Sequence, residues 1–224
     1  KQSNDTKLDP KVAALFEARR GFSNYFFNRL NQERIWNLTP KSVDQGNRMA
    51  WRIQGMLNDR PFELVIDDYA VGGRIRGVFE EIDFDRNLAD QFATKNSRGL
   101  LLALHQWRRF YVEGTRKFGD MYYLGKAPLY VPEASRPLQA DTLVGTYDIL
   151  ETRFYFHPQT GTLTGLEMYP DIDVDPCEVY FGASRRFNAG EFPQEVNVVF
   201  GDNKFGKLTV NEFDLVDPQT VDEE

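Results

Sequence analysis

The clearest pattern along the chain is a period of two between Thr142 and Val216. Phe154 and Phe156 alternate with Tyr155 and His157; Pro158 to Gly161 then turns the chain, and Leu163 to Tyr169 runs back. Cys177, Val179 and Phe181 alternate with Glu178 and Tyr180. Phe192-Pro193 opens Glu195 to Phe200, Gly201-Asp202-Asn203 turns it, and Lys207 to Leu215 closes the set. Alternation bounded by Gly, Pro, Asn and Asp marks antiparallel strands with one buried face. In the last strand Leu208 and Val210 lie in one phase, Phe213 and Leu215 in the other, which predicts a bulge near Asn211-Glu212.

The same period occurs over residues 48–84. Trp51, Ile53 and Leu57 share a face opposite Arg52 and Gln54, and Asn58 to Pro61 reads as a turn. Phe62, Leu64 and Ile66 alternate with Glu63, Val65 and Asp67. Val71-Gly72-Gly73 reads as the next turn, and Arg74 to Phe84 as a third strand bent at Gly77. Elsewhere the spacing is helical. Asp9-Pro10 supplies an N-cap and a first helical position. Val12, Leu15, Phe16, Phe22, Phe26 and Leu30 then continue a stripe, predicting a helix over 9–36 that stops before Thr39-Pro40. Its bulky phenylalanines either pack on a sheet or form a lid over an apolar cavity.

Residues 88–114 predict two helices, a short one over Leu88 to Thr94 and a long one from Ser97, a possible cap, to a stop at Gly114. Leu101, Leu104, Tyr111 and Val112 mark the buried side of the second. Arg98, Arg108, Arg109, Arg116 and Lys117 concentrate basic charge there, as a solvated helix face or as a site for an anionic ligand or partner. Phe118 to Tyr130 reads as a strand, Val131 to Ala140 as a connecting loop, and residues 217–224 as an acidic tail. The fold class expected is α+β: one domain over residues 1–216 in a single continuous antiparallel sheet, in preference to two subdomains divided near Pro132 to Ala140.

With 224 residues, 41% hydrophobic and 14% aromatic, the chain has ample material for a packed core. A formal charge of −7 argues against nucleic acid or an anionic membrane surface as the main partner. Cys177 is the sole cysteine, which excludes an intrachain disulfide, and its strand phase makes it a buried, inert thiol. No stretch reaches the roughly 18 apolar residues of a membrane span. The chain begins at Lys1, and we expect a processed piece whose targeting segment is not in this sequence.

Chemistry is sparse. The two histidines, His105 and His157, stand in no zinc-ligand spacing, and no serine sits in a nucleophile elbow. Asp171, Asp173 and Asp175 open like a calcium loop, but Pro176 stands where the loop needs glycine and Gly182 where it needs glutamate. An acidic turn is the expected reading. The glycines form no phosphate loop, and the aromatics form no RNA-binding signature. No catalytic residue, metal site or cofactor is therefore expected.

The order of a long amphipathic helix, a meander, two helices and a train of hairpins with a bent last strand resembles the LolA/LolB-like superfamily of bacterial envelope proteins. The residues that carry the resemblance are Phe154-Tyr-Phe156, Pro158-Gln-Thr-Gly161-Thr-Leu163, Asp171 to Asp175, Val179-Tyr-Phe181, Gly190-Glu-Phe-Pro193 and Val196 to Phe213. The resemblance implies a strongly curved, unclosed antiparallel half-barrel that wraps around two or three helices and encloses an apolar cavity. It also implies a periplasmic or secreted domain that binds a lipid, a lipoprotein acyl chain or an apolar peptide. Inward candidates are then Trp51, Ile53, Phe62, Leu64 and Phe79, with Phe154, Phe156, Val179 and Phe181 from the later strands; Phe22 and Phe26 are the lid. Arg19 to Asn28 and Asp175 to Phe181 also look like the C-terminal extension of some secreted trypsin-like (Deg-type) proteases of planctomycete-like bacteria. That second likeness implies a protein-interaction module with no small-molecule ligand, and protease residues upstream of this chain.

Overall fold

The computed structural model describes residues 25–40, 49–94, 96–131, 134–171, 173–201 and 203–218. Helix α1 spans Tyr25–Leu38, followed by β1 (Ala50–Leu57), β2 (Arg60–Ile66), β3 (Val71–Ile75) and β4 (Val78–Ile82). Helices α2 (Leu88–Thr94) and α3 (Leu100–Glu113) lead into β5 (Asp120–Leu129) and β6 (Leu138–Tyr147). Then come β7 (Leu150–Phe156), β8 (Leu163–Tyr169), β9 (Cys177–Phe181), β10 (Ser184–Phe187), β11 (Gly190–Pro193), β12 (Glu195–Phe200) and β13 (Asn203–Val216). The predicted start of the first helix at Asp9-Pro10 and the end of the acidic tail lie outside the described residues.

Eleven strands form one open sheet in the order β4-β3-β2-β1-β13-β12-β9-β8-β7-β6-β5. Every pairing is antiparallel. The early meander and the later hairpins meet where β1 pairs with β13, Trp51 opposite Leu215 and Ile53 opposite Phe213. The expected bulge is there: Gln54 faces Glu212 and Gly55 faces Val210, so Asn211 is the extra residue. It shifts Phe213 into the core beside Val210 and Leu208, as the two apolar phases require. Further register shifts in β5–β6, β7–β8 and β12–β13 add to the curl of the sheet.

Several boundaries differ from expectation. The meander has four strands. Arg76 (φ 55°) and Gly77 (φ 86°) make a two-residue hairpin turn, which divides the expected third strand into β3 and β4. Gly72 and Gly73 lie inside β3. The turn sits before them, where the Asp67 carboxylate accepts from the N–H groups of Tyr69 and Ala70, both at 2.6 Å. A Cβ at Gly73 would stand 2.0 Å from the Glu63 carbonyl oxygen, so these glycines mark close strand approach. Helix α3 starts at Leu100, after Gly99 (φ 83°), and Ser97 does not cap it; the Asn96 and Ser97 N–H groups donate to the Glu80 carboxylate at 2.6 and 2.9 Å. β6 begins at Leu138, which shortens the expected loop.

Both edges of the sheet end on a side-chain amide. On β5, Asn28 of α1 accepts from the Tyr123 N–H and donates to the Tyr123 carbonyl, each at 3.0 Å. Gln32, one turn on, donates to the Met121 carbonyl at 2.8 Å. Just beyond β4, Gln91 of α2 treats Asp83 alike, accepting from its N–H at 2.8 Å and donating to its carbonyl at 2.7 Å. Each amide takes the place of a neighbouring strand and blunts an edge.

Candidate binding site

Helix α3 lies in the hollow of the sheet. Leu100 to Arg108, Phe110 and Tyr111 are all buried, a helix covered on every side. Eight of the predicted inward residues come together against it: Trp51 and Ile53 of β1, Phe62 and Leu64 of β2, Phe154 and Phe156 of β7, and Val179 and Phe181 of β9. The Phe110 ring is 5.2 Å from Phe154 and 5.3 Å from Phe156, and the Trp107 ring is 4.4 Å from Phe181. Phe79 does not join them. The Arg76-Gly77 turn resets the strand phase, so Glu80 and Ile82 point inward and Phe79 stands outside, 40% exposed. Phe26 is half-buried on α1, its ring 6.1 Å from Phe27; Phe22 lies outside the described residues.

Around Trp51 the inward cluster also gains Trp107, Tyr111 and Phe192, all absent from the predicted set. Trp107 and Tyr111 come from successive turns of α3, and Phe192 comes from the small β10–β11 hairpin. Their rings stand 5.3, 6.4 and 5.8 Å from Trp51. The spacing of Trp107 and Tyr111, four residues apart on a helix, was available in the sequence; nothing local reveals that Phe192 folds back onto Trp51. Among these residues and Leu163 and Pro193 lies a cavity of about 30 Å³, with the exposed residues Thr162 and Glu191 on its outer side. The indole N–H groups of Trp51 and Trp107 are buried and have no hydrogen-bond partner among the described residues.

Polar anchors hold α3 on the opposite side. Arg108 is fully buried; its guanidinium donates to the Asp68 carboxylate at 2.5 Å and to the Met49 carbonyl at 2.9 Å. Arg109 donates to the Lys117 carbonyl and stacks on Tyr147, 4.5 Å from the ring centre. These two arginines therefore bind inside the domain and do not form the solvated face that their sequence suggests. His105 Nε2 lies 3.3 Å from the Asp68 carbonyl. Burial, then the charges of Arg109 and Arg108, push its pKa down to about 4, so it is neutral near neutral pH. Burial raises the Cys177 thiol, which is the inert state expected of it. Among the described residues, no group of three or more His, Cys, Asp and Glu side chains converges as a metal site would.

A second surface lies at the β4 edge. In the two-residue hairpin, paired positions alternate, so the backbone groups of Phe79 and Glu81 point away from β3. Tyr69 (87% exposed), Phe79 and residues 80–86 line a groove of about 700 Å³ beside that edge.

No family model matches the chain, and no curated protein matches it. Among solved structures, it is similar to the crystal structure of a LolA superfamily protein from Nitrosomonas europaea, at 12% identity and a TM-score of 0.39, over 88% of this chain and 97% of that one. No match supports the likeness to a protease extension. No described helix is long and apolar enough to cross a membrane.

Proposed function

We propose that this domain is a non-catalytic binding module of the cell envelope that takes an acyl chain along the seam between α3 and the concave face of the sheet. The observation that carries the proposal is the apolar seam itself. One wall is Trp51, Phe154, Phe156 and Phe181; the other is Trp107, Phe110 and Tyr111 on a helix that ends on glycines, Gly99 and Gly114. Burying the chain of a decanoyl group there contributes roughly 7 kcal/mol at about 0.8 kcal/mol per methylene, before the cost of opening the seam. The present cavity, about 30 Å³, is too small for such a chain, so uptake requires α3 or the β10–β11 hairpin to move.

Titration with the neutral monoacylglycerol monodecanoin, followed by tryptophan fluorescence, tests the proposal. A saturable change is expected, lost in Phe156→Asp at unchanged circular dichroism. A flat titration of the wild-type protein counts against it. A second reading, a protein-interaction module, draws on the β4 edge. An extended segment would pair with Phe79 and Glu81, and the acidic rim of Glu81, Asp83 and Asp85 favours a basic one. Phe79→Asp would weaken that contact and leave acyl uptake intact.

A further inference from the structure

A chain enters the seam when either α3 or the β10–β11 hairpin moves, and the two are held differently. Helix α3 is pinned by the buried guanidinium of Arg108, which donates to the Asp68 carboxylate and the Met49 carbonyl. Moving it would separate a buried ion pair, which is strongly unfavourable. The hairpin stands outside the eleven-stranded sheet as a two-stranded sheet of its own. Its base is fixed: β9 and β12 pair as far as Phe181 and Val196, the Gly182 N–H donates to the Glu195 carbonyl, and the Gln194 carbonyl accepts from the Val210 N–H, each at 2.8 Å. Its tip carries weaker ties. The Ala189 N–H donates to the Phe213 carbonyl and the Asn188 amide to the Asp214 carboxylate, both at 3.2 Å. Residues 182–186 are exposed, as is Gln194. Inward, Phe187 and Ala189 are partly buried against the core, while Phe192 is fully inserted, its ring 4.3 Å from Phe213 and 4.8 Å from Trp107. Phe192 also lines the cavity of about 30 Å³ beside Trp51.

We propose that the β10–β11 hairpin is the gate of the acyl seam: it swings as a unit about Gly182-Ala183 and Gln194, and Phe192 is the plug that leaves Trp51 and Trp107 as a chain enters. The inference rests on the acyl-chain function proposed above and names the moving part and the mouth. A swing about the base keeps the hairpin's own pairing, from Ser184–Pro193 to Phe187–Gly190, and breaks the two bonds at the tip, whose groups water can satisfy. The space that Phe192 vacates joins the present cavity. Without a ligand, the open state exposes the apolar surfaces of Phe192, Trp107 and Phe213 to water, so the gate rests closed. An acyl chain covers Trp107 and Phe213 again and shifts the balance towards opening.

The test ties the tip down. Asn188→Cys and Asp214→Cys are combined in a Cys177→Ala background, and the two thiols are bridged by a short bis-methanethiosulfonate linker that dithiothreitol removes. Stopped-flow tryptophan fluorescence then follows uptake of monodecanoin by the wild-type, bridged and released proteins. The released protein is expected to take it up at the wild-type rate or faster, and the bridged protein about tenfold more slowly. Phe192→Ala, which keeps the tip and removes the plug, is expected to speed uptake severalfold. Equal rates for bridged and released protein, or a Phe192→Ala rate no higher than that of the wild type, overturn the gate and leave the acyl-chain function standing. If the wild-type protein takes up no monodecanoin, both fall.

Discussion

His105 ties stability to pH. It is fully buried on α3, and its pKa falls from about 6.5 to about 4 on folding. Between those values the unfolded chain binds the proton and the folded one does not, so stability is lost as pH falls from about 6.5 to about 4. The loss from this group is roughly 3 kcal/mol. Urea midpoints at pH 7 and pH 4.5 check it: the wild type is expected to drop markedly over that interval, and His105→Gln to drop less. Arg108 is a related case. Arg108→Leu leaves the Asp68 carboxylate without its buried guanidinium partner and is expected to cost about 3 kcal/mol in the same assay. Neither role was legible in the sequence, where Arg108 belongs to a basic run that reads as solvated and His105 stands in no ligand spacing. Strand alternation, by contrast, placed Trp51, Ile53, Phe62, Leu64, Phe154, Phe156, Val179 and Phe181 correctly on one buried face. It failed at Phe79 because Arg76-Gly77 is a two-residue turn that inverts the phase, where the expectation had a single strand bent at Gly77.

At the level of elements, a helix caps each edge of the open sheet at its end, while the Phe79 and Glu81 backbone of β4 points outward. Asn28 on α1 and Gln91 on α2 each satisfy one residue's N–H and carbonyl in the manner of a strand. Asn28→Ala removes both bonds to Tyr123 and is expected to destabilise the domain by about 1–2 kcal/mol. It should also promote self-association through β5, read as a concentration-dependent increase in mass by size-exclusion chromatography with light scattering. An unchanged monomer would show that α1 covers the edge by other contacts. The Asn28 cap escapes a sequence reading because its partners are 95 residues apart and a surface asparagine has many other uses. Helix α3 was legible as amphipathic, but not as a helix covered on all sides; its arginines masked the burial that Asp68 and Lys117 make possible. The bulge at Asn211 was legible because two apolar phases within one strand permit no other arrangement.

On the scale of the whole molecule, β1–β13 pairing makes the two β regions one sheet, with α3 packed against strands from both. Unfolding is expected to be a single cooperative transition, with tryptophan fluorescence and far-ultraviolet circular dichroism coincident; two separated transitions would mean that the halves fold independently. The hairpins within each β region were legible from their alternation and turns. The meeting of the first and last strands was not, since it joins residues more than 150 positions apart. The proposed acyl-binding function rests on the same architecture, in which β1, β7, β9 and α3 converge on one seam. Its most direct test is native mass spectrometry of the protein purified from its source cells, beside a denatured control. The expected result is an adduct of acyl-lipid mass that is lost on denaturation and displaced by monodecanoin. A bare mass that stays bare after monodecanoin is added would contradict it.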